Sequence, residues 1–429
     1  TMCGDSQGAK LVIHDGLFSA MPEKWLTPDS LPPEPILKWV LPDYLYDPPL
    51  VSRSLPVIYG HELDSGTYYR QSGSTGILGL DVFGSVFYCL TRYEEAVKPD
   101  RDKHDRFPAT ASLAFKHGFL DRPIVNEYTE ILWRCMTRLW PNLRRKTPQY
   151  RLAMSHDVDY PFLTSNGTWD EVLKHCLGDI IKRRSPRLAM ARALQRFTLG
   201  SMRHSCNPFD TFGFIMDTSE QAGLRSAFYF MADNGEGQMT ADYSIDEPWI
   251  RALISRMINR GHEVGYHAGY GAFDSVAVAR SQLDHLCRVL EDEKAQQNGL
   301  GGRMHYLRWK VPDTWQLLDD LGLSYDSTVG FAEQPGFRCG TCYEYRVFNL
   351  TLKRQLHLVE RPLIAMDTSL FDGAYMGLTF HEAREILDKL CSRCKIFGGT
   401  FTLLWHNNNL VGEREKSFYS ELIAQLCHG

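Results

Sequence analysis

Two aspartates two residues apart, Asp157 and Asp159, follow the apolar run Leu152-Ala153-Met154, and Pro161 then stops regular structure. On a strand, side chains two apart share a face, so this spacing sends both carboxylates into one site. The same residues would serve a plain turn through local hydrogen bonds. What favours chemistry lies downstream. His267, His305 with Arg308, Asp326 and His406 each come just after a strand-like apolar run. Two carboxylates, several histidines and an arginine form an inventory for metal-assisted hydrolysis. A divalent cation held by Asp and His polarises a carbonyl and acidifies its water. A free carboxylate takes the water proton, and a histidine protonates the leaving amine.

Such side chains need a scaffold that brings strand ends together. After Pro208 the chain alternates strand and helix patterns. Helices are predicted at 212–222, 247–259, 275–294 and 312–321, with strands at 226–231, 263–267, 304–309, 323–325 and 399–405. Repeated βα units imply a mostly parallel sheet or a barrel, whose strand ends share one rim. Ahead of this, residues 1–148 read as a smaller α+β accessory domain. It has a proline-rich start, a helical pattern from Leu78 to Glu95, a second helix over 123–140 and a boundary near the basic run Arg144-Arg145-Lys146. Between about 165 and 207 lies a helical insertion with Lys182, Arg183, Arg184, Arg187, Arg192 and Arg196 on one face. That face is either solvated or meets an anionic partner such as the phosphate of a nucleotide or lipid carrier.

Composition narrows the classes. The 429 residues are 43% hydrophobic and 23% charged, enough for a sizeable core. A net charge of -5 offers no basic field for nucleic acid. No apolar run reaches membrane-span length, and the N-terminal residues lack a secretory layout, so a cytoplasmic protein is expected. Eleven scattered cysteines fit a reducing compartment. The pairs Cys339/Cys342 and Cys391/Cys394 could be read as a zinc site. The second pair falls in a helix announced by the capping box Thr379/Glu382, which favours ordinary helix-face residues.

These stretches resemble the polysaccharide deacetylase (NodB-homology, carbohydrate esterase family 4) superfamily, closest to a divergent bacterial branch with an N-terminal accessory domain. The matching residues are Ser155-His156-Asp157-Val158-Asp159, Gly261-His262-Glu263-Val264-Gly265-Tyr266-His267, Arg308-Trp309-Lys310-Val311-Pro312, Tyr325-Asp326-Ser327-Thr328 and Leu403-Leu404-Trp405-His406. The resemblance implies a distorted (β/α)7 barrel over 149–429 that hydrolyses an N-acetyl or O-acetyl group on a sugar. It implies Asp157 as catalytic base, His406 as general acid, Arg308 orienting the base and Asp326 in support. Asp159 and His267 would hold a divalent metal, zinc first, with cobalt or nickel possible. The family's second histidine, four residues after the first, is Gly271 here. His305 or Asp274 would have to replace it, or the barrel would be a degenerate carbohydrate-binding scaffold. Trp309, Phe331, Trp405 and Tyr270 are candidate sugar contacts, unless core packing claims them. The expected partner is a carbohydrate, sugar-nucleotide or lipid-linked sugar of surface polysaccharide biosynthesis.

Overall fold

The computed structural model describes residues 8–46, 50–163, 169–181, 207–232 and 239–428 except 242, together with 186, 189, 190, 192 and 193. The N-terminal part carries five short strands: β1 (Lys10–Ile13), β2 (Leu37–Val40), β3 (Ser54–Val57), β4 (Tyr69–Ser72) and β5 (Thr75–Leu78). β1, β5 and β4 form one sheet, and β2 pairs with β3 in another. The single helix expected from Leu78 to Glu95 is split. Leu78 ends β5, and Asp81 caps a helix over Val82–Leu90 by accepting from the Gly84 N–H. Arg92 then takes a left-handed φ of 53° before a second short helix, Tyr93–Val97. That turn sends its guanidinium inward to Glu94 and Glu95. The helix Ile124–Leu139 matches the expected span and buries Tyr128, Ile131 and Cys135.

The remaining strands are β6 (Arg151–Val158), β7 (Ala227–Phe230), β8 (Glu263–Ala268), β9 (Gly301–Met304), β10 (Tyr325–Asp326), β11 (Tyr345–Asn349), β12 (Arg354–Glu360), β13 (Ala365–Met366) and β14 (Thr400–Leu404). They make a nine-stranded sheet in the order β11-β12-β10-β9-β8-β7-β6-β14-β13. Every pairing is parallel except that of β11 with β12. The α/β, parallel character therefore stands. Among the described residues this sheet has nine strands where seven βα units are expected, and its end strands β11 and β13 are not paired with each other. β7 is buried throughout, as a central parallel strand with both faces covered must be. The helices Pro248–Asn259 and Val276–Asp292 pack on β8, Phe380–Phe397 on β14 and Glu413–His428 on β6.

One apolar core runs through both parts of the chain, from Leu17 and Trp39 to Phe401 and Leu426. The helix Phe380–Phe397 begins with the Thr379/Glu382 capping box. Its Cys391 and Cys394 are buried on the inner face, as ordinary helix residues would be. Cys394 meets Cys342, whereas Cys339 lies beside Glu360 and Arg92, so the two pairs do not converge on one site. Of the basic insertion, Arg192 is buried and donates to the Leu163 carbonyl, so it does not stand on a solvated face. Lys182, Arg183, Arg184, Arg187 and Arg196 lie outside the described residues.

Candidate metal centre and active site

The carboxyl ends of β14, β6, β8 and β9 deliver one cluster. Asp159 stands one residue past β6, His267 near the end of β8, and His305 just after β9. Asp159 Oδ1 is 3.1 Å from His267 Nε2 and 3.8 Å from His305 Nε2. A tetrahedral cation with bonds of about 2.0–2.2 Å sets its ligand atoms about 3.3 Å apart, so the spacing suits a metal. Among the described residues this is the only group of three His, Cys, Asp or Glu side chains with ligand atoms within 4.8 Å of one another. Asp159 Oδ1 and His267 Nε2 are buried without a hydrogen-bond partner. Buried polar atoms are seldom left so, and here they converge.

Each of the three side chains is held differently. His267 Nδ1–H donates to the Arg303 carbonyl at 2.9 Å, which turns Nε2 toward Asp159, and against burial Asp157 and Asp159 hold its pKa above the ordinary value. Burial holds the His305 imidazole down at about 4, against the pull of Asp159, so it is neutral. For Asp159, burial is outweighed by His305, His267 and His406, which hold the carboxylate well below its usual range. At 14% side-chain exposure, Asp159 marks the open side of a cluster in which His267 is 1% exposed.

Asp157 and His406 flank this group. Arg303 Nη1 donates to Asp157 Oδ1 at 2.8 Å, leaving Oδ2 on the site side, 3.8 Å from His267 Nε2. Arg303 is itself pinned. It donates to the Ser327 carbonyl, the Ser155 hydroxyl and the Ser327 hydroxyl at 2.8, 3.0 and 3.0 Å, and its guanidinium sits over the Tyr229 ring. Opposite, His406 Nδ1 lies 2.7 Å from Asp367 Oδ1, and its Nε2 lies 3.6 Å from Asp159 Oδ2. Asp367 is buried at the end of β13 and also accepts from the His406 N–H and the Asn409 amide, at 2.8 and 2.9 Å. Burial opposes the charge on His406, but Asp367 and then Asp159 outweigh it and push its pKa up to about 10.

Several sequence expectations are displaced. Arg308 does not touch Asp157. It donates to the carbonyls of His104 and Tyr270 and stacks on Tyr270 and Phe273, so the residue that orients the carboxylate is Arg303. Asp326 is fully buried, accepts from Thr328 and faces Glu360 rather than the cluster. Burial raises its pKa to about 6. Trp309, Phe331 and Trp405 are buried at 2%, 4% and 1% exposure, so their rings present no face to a sugar. Trp309 packs on Trp315 and beside Arg338, and Trp405 on Tyr419. Tyr270 is half-buried at the rim, its hydroxyl 3.1 Å from His104 Nδ1. Asp274 is exposed and outside the group, so of the two candidate replacements for the absent histidine it is His305 that meets Asp159 and His267.

Residues 21–141 match a family described as a family of unknown function, DUF7033. No curated protein matches the chain. Solved structures similar to it include proteins described as polysaccharide deacetylases or CE4 family members, and an allantoinase. A putative polysaccharide deacetylase from Mycobacterium smegmatis is 17% identical, with a TM-score of 0.44 over 67% of this chain and 86% of that one. A probable polysaccharide deacetylase from Pseudomonas aeruginosa PAO1 is 13% identical, with a TM-score of 0.40 over 64% and 84%. A mutant of a CE4 family pseudoenzyme with restored enzymatic activity is 10% identical, with a TM-score of 0.32 over 66% and 64%. No helix among the described residues is long and apolar enough to cross a membrane.

Proposed function

We propose that this protein is a divalent-metal-dependent hydrolase that removes an acetyl group from an N-acetylated sugar of a surface polysaccharide or its sugar-nucleotide or lipid-linked precursor. The observation that carries the reading is the convergence of Asp159, His267 and His305 beside two separately oriented groups, Asp157 and His406. A zinc, cobalt or nickel ion in that position would polarise the acyl carbonyl and acidify the attacking water. The chain's own residues do the rest. Asp157 Oδ2 takes the proton from water while Arg303 holds the other oxygen and the orientation. His406, kept protonated by Asp367, gives the Nε2 proton to the amine as the C–N bond breaks. Water supplies oxygen to the acyl carbon, and acetate and the free amine leave. The sugar enters where Asp159 and His406 reach solvent, past Tyr270. What supports a sugar as substrate is the order of the resembling motifs.

The test is acetate release from N-acetylated sugars and sugar nucleotides by protein loaded with zinc, cobalt or nickel. Slow turnover that disappears in Asp157→Asn supports the proposal. Glycine at position 271, where the resembling family has its second histidine, favours a second reading, a carbohydrate-binding scaffold with a weak metal site. Sugar binding that survives Asp157→Asn, with no acetate released by loaded wild type, selects that reading, because binding needs no base.

A further inference from the structure

His305 differs from the other two histidines of the site in how it is held. His267 is locked by the Arg303 carbonyl and His406 by Asp367. His305 Nδ1 is buried with no hydrogen-bond partner, so no such bond orients its ring. Its orientation must come from packing and from the backbone that follows, and that backbone is unusual. Tyr306 and Leu307 adopt φ of 61° and 53°, two successive left-handed residues without glycine. Such conformations are costly for L-residues and persist only where the surroundings enforce them.

The enforcing contacts come from about 200 residues upstream. Asp102 winds a tight loop by accepting from the His104 and Arg106 N–H groups at 2.8 and 3.0 Å. The same carboxylate grips the Arg106 guanidinium at 2.8 and 2.6 Å. Thus fixed, and buried at 6% exposure, Arg106 donates through Nη1 to the Tyr306 carbonyl at 2.9 Å. Arg308 closes the arrangement by donating to the His104 carbonyl at 3.0 Å. The Tyr306 ring packs between the rings of His104 and His305, with centroids 4.9 and 4.6 Å away.

We infer that Arg106 is a positioning residue for the His305 ligand: the loop 102–106 holds the left-handed Tyr306–Leu307 turn, and through it the imidazole aimed at Asp159. This rests on the metal-site reading above. It adds that the N-terminal part of the chain completes a site otherwise built by the nine-stranded sheet. Partners that orient a metal-bound histidine typically change affinity 10–100-fold when removed, which sets the expected scale.

The experiment measures zinc affinity by competition with a chromophoric chelator, and the visible spectrum of the cobalt-loaded full chain. Wild type, Arg106→Met, Asp102→Asn and the exposed-loop control Lys103→Met are compared. Arg106→Met is expected to weaken zinc binding about 10–100-fold and to alter the cobalt spectrum. Asp102→Asn should shift both in the same direction by less, and Lys103→Met should match wild type. The unfolding midpoint of each metal-free protein reports whether the fold survives. A folded Arg106→Met with zinc affinity within about twofold of wild type overturns the inference, given the larger expected loss. If Arg106→Met does not fold, Asp102→Asn decides, and wild-type affinity there overturns it equally. Failure of wild type itself to bind zinc or cobalt removes the metal-site reading and this inference with it. That result is distinct, because it appears before any variant is compared.

Discussion

Two of the buried charge clusters in this molecule are built on opposite principles. Around Glu95, every oxygen is answered. Oε1 accepts from Arg92 Nε and Arg338 Nε at 2.8 and 2.9 Å, and Oε2 accepts from Arg338 Nη2 at 2.6 Å. Glu94 likewise accepts from Tyr88, Lys98 and the Leu113 N–H. Around Asp159, by contrast, Oδ1 and His267 Nε2 are buried 3.1 Å apart with no third group to bond, and His305 Nε2 faces the same oxygen at 3.8 Å. Burying charge is expensive unless it is paired, so the first cluster is the kind a fold can keep for its own sake. The second is the kind that waits for a ligand. The contrast also separates location: Glu95 joins the N-terminal part to Arg338, while Asp159 opens on the strand-end rim.

Substitutions can break or sharpen that contrast. The largest effect is expected at Asp157→Asn, which removes the base: kcat should fall about 10²–10⁴-fold, with zinc content retained. An unchanged kcat would place the base elsewhere. Glu95→Gln should act on folding instead. It leaves two buried guanidinium groups undercompensated, and chemical denaturation should report a loss of about 3–5 kcal/mol with kcat of the folded protein unchanged.

Asp326→Asn probes a third kind of burial, a carboxyl facing Glu360 whose pKa is raised to about 6. A raised carboxyl pKa means that folded protein binds a proton the unfolded chain has already lost. The wild-type stability that depends on this proton is full below the unfolded value, near 3.8, and lost as pH rises through about 6. The neutral asparagine should therefore be more stable than wild type at pH 7 by on the order of 1–3 kcal/mol, with the gain vanishing near pH 4. Denaturation at the two pH values checks it, and a gain equal at both would show that ionisation is not involved. Smallest is Tyr270→Phe. Loss of the bond to His104 at the rim should raise KM a few-fold, on the scale of about 1 kcal/mol, and leave kcat alone.

Much of the site was legible before the structure. Asp157, Asp159, His267 and His406 each lie at or just past the end of a strand whose apolar run the sequence shows, and such ends share a rim. Arg303 was not legible, because Gly301-Gly302 reads as a loop and the strand was placed too late, at 304–309. The glycines are there for contact. A Cβ on Gly301 would lie 1.9 Å from the Tyr325 ring, and one on Gly302 2.9 Å from the Tyr266 carbonyl oxygen. Asp367 escaped notice because β13 has only two residues, too few for a period. For Trp309 and Trp405 the core-packing alternative holds. Position after a strand suggests a platform, but the area a buried indole removes from water outweighs it. The split at Arg92 is tertiary too, since nothing local asks for a left-handed arginine.

On the proposed function, His305 stands in for the histidine absent at position 271. Zinc stoichiometry and affinity, measured on protein purified without chelator for wild type, His267→Ala and His305→Ala, test it most directly. Near-stoichiometric zinc is expected in wild type, with a loss of tight binding in both variants. Wild-type zinc affinity in His305→Ala, with His267→Ala impaired, would contradict it.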